Sequence, residues 1–302
     1  MILSVGEILF DHFPEYRRVG GAPFNFSYHV KKLGFPVRFI TRVGDDPEGR
    51  NLKGLLRKNG FTEADLQVDG QYPTGSVVVT PAGKGLHSFE ILADVAFDHL
   101  EANTAVLSIL DQSPRLVYFG TLVQRTEPGR RFMGRIFSRV QGETRLLCDI
   151  NLRPGCYTRE TVEESLRRAD ILKLNIEELE EIAAMLWSDP APDHPCQRLR
   201  EEFGIELISL TKGEAGSEIF SQEGRFTIGP SPVPAMEDTV GAGDAYSAVL
   251  AIGYLTGWDP DRILSVASRF AADICGSAGA LPEADSFYNE YNILFRGEGN
   301  GS

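Results

Sequence analysis

The sequence predicts an α/β fold in which a mostly parallel sheet lies between two layers of helices, together with a small second sheet. Three observations lead to this prediction. Short β-rich runs alternate with segments of helical periodicity, the apolar content of 42% suffices for a large core, and one hairpin interrupts the alternation. Alternating strands and helices are typical of parallel strands whose connecting helices cover both faces of the sheet. We expect a single domain over residues 1–296 and a disordered tail over 297–302.

Six short segments have the composition of buried strands, with Val, Ile, Leu and Phe bounded by polar or turn-forming residues. Between them, apolar residues recur at helical spacing, so that each predicted helix has one apolar face. Val162, Leu166 and Ala169 form one such face. The predicted strands are 2–5, 37–43, 116–119, 146–150, 171–174 and 206–210.

The segment 72–98 breaks the alternation, because it holds two strand-like runs with no helix between them. A single hairpin is too small to be a domain. We predict that it pairs with the segment 9–19 to form a small β-sheet, a lid over a ligand cleft. Exposed lid strands have unpaired edges, so we also predict a homodimer formed through the lids.

Charge and composition exclude several classes of function. The formal net charge of −13 argues against a broad surface for nucleic acid or for an anionic membrane. No stretch approaches the ~20 apolar residues of a membrane helix, and the first residues carry no basic leader of a signal peptide. The four cysteines are scattered with no C-x-x-C pair, which argues against structural zinc and fits a reducing compartment. We therefore expect a cytoplasmic protein whose partner is a small molecule.

The strongest motif is DTVGAGD at 238–244, which precedes a helical run. Its glycines allow a tight turn that presents consecutive N–H groups, and the helix that follows adds its positive end. Such a nest, formed by Gly241, Ala242 and Gly243, can hold the charge of a transferring phosphoryl group without basic side chains. Asp244 at its mouth is then placed as a general base. The alternative is that Asp244 caps the helix; the complete motif favours catalysis.

A second segment, LTKGEAG at 210–216, follows a predicted strand. Its backbone could line the phosphates or the ribose of a nucleotide, and the alternative is a plain strand–turn–strand connection. The predicted nucleotide contacts are Thr211, Lys212, Gly213 and Gly216, with Val240 from the first motif.

Asn175 and Glu178 open a predicted helix directly after the strand 171–174. Two interpretations of this spacing are open. The pair could form a capping box, in which each side chain accepts a hydrogen bond from the other residue's backbone N–H. Alternatively, Asn175 contacts the nucleotide and Glu178 binds Mg²⁺ through water near the phosphates.

Near the N-terminus, the segment GGAPFN at 20–25 precedes another helical run. Gly20 and Gly21 let the backbone approach a ligand closely, and Pro23 suits the first turn of the helix. Asp11 and Asn25 would then converge on one pocket, where vicinal hydroxyls need acceptors and donors at fixed spacing. The alternative is that Asp11 caps a turn and that Asn25 is a solvated helix residue.

Three further side chains have open roles. Arg125 and Arg153 could each contact a ligand or pair with a surface carboxylate, and we keep Arg153 as a candidate for the sugar pocket. Phe89, on the predicted lid, could provide the stacking surface that a nucleoside requires.

The two ends of the chain together resemble the pfkB (ribokinase-like) carbohydrate kinase family. GGAPFNFSYHVKKLGFPVRFITRVGDDPEGR is similar to the N-terminal pattern of the family and DTVGAGDAYSAVL to its C-terminal pattern. The resemblance implies a ribokinase-like three-layer α/β/α fold with a small β lid. It also implies transfer of the γ-phosphate of ATP to a primary alcohol, with a requirement for Mg²⁺.

By this resemblance, Asp244 matches the catalytic base of the family. The three residues before it match the anion hole, Asp11, Gly21 and Asn25 match sugar contacts, and Asn175 with Glu178 matches an N-x-x-E motif. Members of the family often bind K⁺ beside the anion hole. The positions that match this site are Asp238, Val240, Ile274, Ser277 and Gly279.

Within the family, the segments GEILFD, PTGSVVV, FGTLVQR and DINLRP are similar to bacterial fructokinases, which implies D-fructose as the sugar. Two positions depart from that branch, because Phe97 stands where it usually has Trp and Ile150 where it often has Pro. Ribose, 2-keto-3-deoxygluconate and a nucleoside are the alternative substrates. A catalytically silent sugar sensor is a further alternative. It is disfavoured because a sensor does not need the base, whereas this chain retains Asp244. A Rossmann dehydrogenase is disfavoured because no G-x-G-x-x-G follows the first strand.

Overall fold

The computed structural model describes residues 1–83, 86–140, 142–187, 193–233, 239–277, 279–282 and 284–296. It contains a nine-stranded sheet and a separate four-stranded sheet. Two of the sequence predictions, the disordered tail at 297–302 and the cation ligand Asp238, lie outside the described residues.

The nine-stranded sheet has the order β13-β12-β11-β10-β9-β8-β1-β4-β5, in which only the pairs made by β12 are antiparallel. All six predicted strands are confirmed, with ends displaced by one residue where they differ. Three further strands, β5, β12 and β13, had not been predicted. The strands are β1 (Ile2–Val5), β4 (Val37–Gly44), β5 (Leu66–Asp69), β8 (Leu116–Phe119), β9 (Arg145–Asp149), β10 (Ile171–Asn175), β11 (Leu207–Thr211), β12 (Ser217–Ser221) and β13 (Gly224–Ile228).

Helices cover both faces of this sheet, as the alternation predicts. Successive residues of a strand point to opposite faces, so Ile2 and Leu3 belong to different apolar clusters. The cluster with Ile2 includes residues of α1, α2, α8, α9 and α10, and the cluster with Leu3 includes residues of α3 to α7. The helices are α1 (Ala22–Lys32), α2 (Pro47–Lys58), α3 (Thr104–Asp111), α4 (Glu127–Arg139), α5 (Arg159–Arg168), α6 (Ile176–Leu186), α7 (Pro195–Phe203), α8 (Ala242–Thr256), α9 (Pro260–Cys275) and α10 (Asp285–Arg296).

Helix α8 lies in the core of the protein. It is apolar on all sides and buried from Ala245 to Gly253, which is the pattern of a core helix. Within the described part of the chain, none of the helices has the length and apolar content needed to cross a membrane.

The four-stranded sheet is the predicted lid. Its strands are β2 (Leu9–His12), β3 (Arg17–Gly20), β6 (Ser76–Gly83) and β7 (Leu86–Ile91), in the order β3-β2-β6-β7. Segments 9–19 and 72–98 therefore pair as expected, with β2 parallel to β6 and hairpins on either side. Beneath the sheet, a small apolar cluster joins Leu9, Val77 and Phe97 to Leu122 of the main fold.

A buried ion pair fixes the end of the lid hairpin to the main fold. Arg125 donates to both carboxylate oxygens of Asp98, from Nε at 2.6 Å and from Nη2 at 2.7 Å. The same guanidinium donates to the carbonyl of Leu92 at 2.6 Å and lies over the ring of Phe97. The open role of Arg125 is thereby decided, because its donors hold the lid.

Candidate active site

The strand order places a crevice at the carboxyl end of β1. From β1 the chain proceeds to β4 and β5 on one side, and then returns to β8 and β9 on the other. In open α/β sheets, ligands bind outside the carboxyl ends of the strands at such a reversal. A small cavity lies there, lined by Glu7, Tyr118, Asp149 and the start of α1. The N-terminus of α8 meets the same crevice through the hydrogen bond between Ser247 and Asp149.

The first turn of α8 has the geometry of an anion site. Gly241 has a left-handed backbone with φ of 81°, and a methyl group there would lie 2.2 Å from the Cβ of Ala280. Only glycine fits this position. Helix α8 then begins at Ala242, and the N–H groups of a first helical turn lack partners within the helix. The N–H of Ala242 makes a long hydrogen bond of 3.4 Å to the carbonyl of Thr239, outside the helix. The nest predicted from Gly241, Ala242 and Gly243 is compatible with this backbone if a phosphoryl oxygen replaces that acceptor.

Asp244 lies in the first turn of α8 but does not cap it. The N-cap position belongs to Gly241, and no side chain caps this helix end. The capping interpretation of Asp244 is thus wrong. Its carboxylate instead accepts a hydrogen bond at Oδ2 from Nδ2 of Asn25 at 2.8 Å.

Asn25 reaches Asp244 because of how α1 begins. Gly21 has φ of 109° and a methyl group there would lie 2.6 Å from the carbonyl of Glu7, so the diglycine turn packs closely on the chain after β1. Asn25 is only 3% exposed, and its Oδ1 has no hydrogen-bond partner within the described residues. The solvated interpretation of Asn25 is therefore wrong. A buried amide oxygen without a donor is costly, and a ligand hydroxyl could supply one.

Asp11 lies on lid strand β2, and its carboxylate lies next to Gly20 of the neighbouring strand β3. A methyl group at Gly20 would lie 2.5 Å from Oδ2 of Asp11, so the glycine makes room for the carboxylate. Burial raises the pKa of Asp11 to about 6, although the charges of Arg153, His12 and Arg18 oppose the shift. Asp11 belongs to a regular strand and not to a turn, which excludes its capping alternative.

The electrostatics of the crevice suit a base that works near neutral pH. Burial and the charge of Asp149 raise the pKa of Asp244 to about 7, against the effects of Asn25, Lys173 and Arg153. Arg153 is exposed to solvent, yet it influences Asp11 and Asp244 alike. It therefore lies within electrostatic reach of both carboxyl groups.

Sequence reasoning missed three charged residues at this crevice. Glu7 is buried and its Oε1 accepts the N–H of Ala22 at 3.2 Å. Asp149 and Lys173 are also buried, and Nζ of Lys173 donates to Oδ1 of Asp149 at 3.1 Å. The available signal was a lone lysine inside the apolar strand ILKLN, because a charge in a buried strand requires a partner.

Asn175 and Glu178 form the reciprocal capping box. Glu178 Oε2 accepts the N–H of Asn175 at 2.8 Å, and Asn175 Oδ1 accepts the N–H of Glu178 at 2.8 Å. Glu178 Oε1 accepts a third N–H, from Leu152, at 3.1 Å. Burial raises the pKa of Glu178, in spite of the nearby charge of Lys173. The capping interpretation is confirmed, and the Mg²⁺ interpretation stays a prediction.

The segment 210–216 forms a strand–turn–strand connection. Thr211 ends β11, a short 3₁₀ turn covers Gly213–Ala215, and β12 follows. The ammonium of Lys212 pairs with Glu218 at 2.6 Å. Gly213 and Gly216 both have positive φ, and a methyl group on Gly216 would lie 2.0 Å from the carbonyl of Ile228. Any nucleotide contact here stays a prediction that involves backbone groups.

The remaining predicted residues belong to the predicted K⁺ site or, in the case of Phe89, to the lid. Val240 and Gly279 lie beside the contact between Gly241 and Ala280, so two loops of the predicted K⁺ site are adjacent. Ile274 and Ser277 are two further residues of the predicted K⁺ site. The carbonyl of Ile274 accepts the N–H of Ser277 at 2.9 Å. Phe89, by contrast, is 57% exposed on lid strand β7. Potassium binding, a substrate contact by Phe89 and the lid-mediated homodimer all stay predictions.

Comparison with known proteins decides the family. The model of the pfkB family carbohydrate kinases matches residues 16–285. The chain belongs to this family of carbohydrate kinases. Fructokinase-1 of Oryza sativa subsp. japonica is 28% identical over 314 residues, which cover 93% of this chain and 94% of that protein.

Two solved structures show that the fold of this kinase is ribokinase-like. A sugar kinase of Pyrococcus horikoshii in complex with ATP is 26% identical, with a TM-score of 0.79 and coverage of 93% of this chain and 94% of that chain. A fructokinase of Xylella fastidiosa with bound ATP has a TM-score of 0.81 and covers 98% of this chain and 99% of that chain. At 21% identity, the second likeness bears on the fold alone.

Proposed function

We propose that this kinase transfers the γ-phosphate of ATP to a primary hydroxyl of a free sugar, and that the sugar is D-fructose. The observation that carries the proposal is the hydrogen bond between Asn25 and Asp244. It joins the sugar side of the crevice to the first turn of α8, so one carboxylate faces both predicted substrates. The fructokinase-like segments and the 28% identity to a rice fructokinase support fructose as the sugar.

In the proposed reaction, Asp244 Oδ accepts the proton of the sugar hydroxyl as that oxygen attacks the γ-phosphorus. A new O–P bond forms, the bond to the β-phosphate oxygen breaks, and ADP leaves with the electron pair. A hydroxyl is too weak an acid to ionise freely at neutral pH, so proton removal accompanies the attack. The N–H groups of Gly241, Ala242 and Gly243 take up charge on the phosphoryl oxygens. Closure of the lid would exclude water that could otherwise intercept the phosphoryl group.

The charge of the phosphates also requires a metal ion. Among the described residues, no group of three His, Cys, Asp or Glu side chains could hold a metal directly. This fits Mg²⁺, which is usually bound by one or two carboxylates, water and substrate phosphates. Glu178 would hold it through water, since each carboxylate oxygen carries a lone pair beyond its N–H bond. When bound, Mg²⁺ neutralises charge on the phosphate oxygens.

A 2-keto-3-deoxy sugar acid is the second candidate substrate, and one observation favours it. Arg153 lies within electrostatic reach of both Asp11 and Asp244, so the pocket contains a cation that an acid substrate would need. The two candidates are separated by measuring ADP release with fructose, ribose, 2-keto-3-deoxygluconate and adenosine. Fructose should give the largest kcat/KM. Fastest release with another substrate would reassign the sugar, and no release with any of them would leave a silent sensor.

A further inference from the structure

Lys173 is a buried lysine whose ammonium lies beside the predicted phosphate site. It is 7% exposed on β10, between two fully buried leucines. A methyl group placed on Gly243 would lie 3.0 Å from Nζ of Lys173, so the ammonium adjoins the first turn of α8. A buried ammonium requires a paired acceptor, and here the acceptor is Oδ1 of Asp149 at 3.1 Å.

Asp149 connects this ion pair to the helix that carries Asp244. It is 1% exposed, and its Oδ2 accepts hydrogen bonds from Tyr118 at 3.2 Å and from Ser247 at 2.8 Å. Ser247 lies on α8, three residues after Asp244 and nearly one helical turn away. Asp149 is therefore fixed close to Asp244, with Lys173 between its charge and the anion site.

The groups that face Asp244 come from every element around the crevice. Asp149 from β9 opposes ionisation of Asp244, whereas Lys173 from β10, Arg153 and the amide of Asn25 from α1 favour it. Tyr118 from β8 is buried, and burial together with the charges of Asp149, Asp244 and Glu7 raises its pKa. Glu178 at the start of α6 acts on Lys173. The balance between the charges of Asp149 and Lys173 is thus the part that a ligand at Gly243 can change.

We propose that Lys173 and Asp149 form a charge relay in which the γ-phosphate of ATP draws the ammonium from Asp149, leaving a carboxylate that strengthens Asp244 as a base. This inference rests on the proposed function. A phosphate in the nest at Gly243 carries more charge than Asp149 and lies within reach of Nζ. Lysine is suited to the exchange, because its ammonium is a compact charge on a flexible stem. The base would then gain strength only when the phosphoryl donor is in place.

The relay predicts a proton uptake that depends on Asp149. The probe is an ATP analogue with nitrogen between the β- and γ-phosphates, added to the sugar-free full-length protein with Mg²⁺. Calorimetric titrations in two buffers of different ionisation enthalpy, repeated from pH 5 to 9, measure the protons bound with the analogue. Uptake by the Asp244→Asn variant is subtracted, which isolates the titration of Asp244 from that of the nucleotide.

A bound phosphate raises the proton affinity of Asp244 directly, so the comparison between variants is decisive. We expect the analogue to raise the titration midpoint of Asp244 by at least about one pH unit more in the wild type than in Asp149→Asn, since neighbouring charges shift such midpoints by one to three units. Tyr118→Phe is the matched control. It removes one hydrogen bond to Asp149, keeps both charges, and should retain the wild-type shift.

A second variant covers the case in which Asp149→Asn does not fold. The double variant Asp149→Asn/Lys173→Met leaves no unpaired buried charge, and such replacements are often neutral for stability. It should show the same reduced shift. Equal shifts in the wild type and either variant would overturn the relay while leaving the kinase assignment intact. A protein that binds neither ATP nor the analogue would overturn the proposed function and the relay together.

Discussion

Asn25 Nδ2 lies 2.8 Å from Asp244 Oδ2, although 219 positions separate the two residues in the chain. The amide holds one carboxylate oxygen of Asp244 in place. Its own Oδ1 is buried without a partner in the described structure, so the pair presents acceptors to a ligand and few donors. This arrangement suits the hydroxyl of a sugar, which can donate to both residues.

The Asp244→Asn variant tests the proposed base. Asn keeps the shape, and Asp244 does not cap α8, so the fold should not suffer. We expect kcat to fall by roughly 10²–10⁴-fold, the usual contribution of a positioned base, while sugar binding stays near normal. Asp261→Asn is the matched control, because Asp261 is an exposed acid in the first turn of α9. A folded Asp244→Asn variant with near-full turnover would leave the mechanism without its base.

The pH dependence of kcat/KM should report the same residue. Only the carboxylate form of Asp244 can accept a proton, and burial with the Asp149 charge raises its pKa to about 7. We expect kcat/KM for ATP at low sugar concentration, which reports the enzyme before either substrate binds, to be level above this pH and to fall about tenfold per unit below it. Asp11, with a pKa raised to about 6, adds steeper loss at lower pH. A profile that is level down to pH 5 would contradict this assignment.

Stability should depend on pH in the opposite direction. Asp244 has a higher pKa in the folded state than its ordinary 3.8, so the folded protein binds more protons between pH 4 and pH 7. Its contribution to stability is fully present below about pH 4 and is lost as the pH rises through about 7. Relative to the wild type, Asp244→Asn should therefore gain at least about 1 kcal/mol between pH 4.5 and pH 8. Urea unfolding of both proteins at the two pH values measures the difference, and no gain would contradict the raised pKa.

The two ends of the site were predictable because each is a continuous motif with its own backbone signature. The glycines at 20, 21, 241 and 243 predict tight turns, whatever the rest of the chain does. The ion pair of Lys173 and Asp149 could not be predicted in this way, since the pairing depends on the register of β9 and β10 and not on spacing in the sequence. Short antiparallel strands such as β13 were also missed, because this edge strand is largely exposed and lacks an apolar run.

The anchor of the lid gives a prediction about stability. Asp98 is fully buried, so Asp98→Asn would leave the guanidinium of Arg125 without its charge partner. We expect a loss of about 3–5 kcal/mol in the free energy of unfolding, measured with urea. Asp111→Asn is the matched control, since its pair with Arg139 is half-exposed and should contribute only about 0–1 kcal/mol. Similar losses in the two variants would mean that Asp98 does not anchor the lid.

Gly20 allows a test of Asp11 that leaves every functional group unchanged. A methyl group at Gly20 would lie 2.5 Å from Oδ2 of Asp11, so Gly20→Ala must displace the carboxylate or the lid strand that carries it. If Asp11 accepts a hydrogen bond from the sugar, both Gly20→Ala and Asp11→Asn should raise KM for the sugar by about tenfold, the equivalent of one charge-assisted hydrogen bond. KM for ATP should stay unchanged, because the predicted nucleotide contacts lie on other elements.

The control for Gly20→Ala is Gly54→Ala. Gly54 lies within α2 with nothing near its missing Cβ, so alanine there should leave both KM values alone and slightly favour the helix. The comparison separates the effect of adding a methyl group from the effect of moving Asp11. Unchanged sugar KM in a folded Gly20→Ala variant would show that the position of Asp11 does not matter for the sugar. The lid would then cover the pocket without contributing a ligand to it, and sugar recognition would depend on Asn25 and the floor of the crevice.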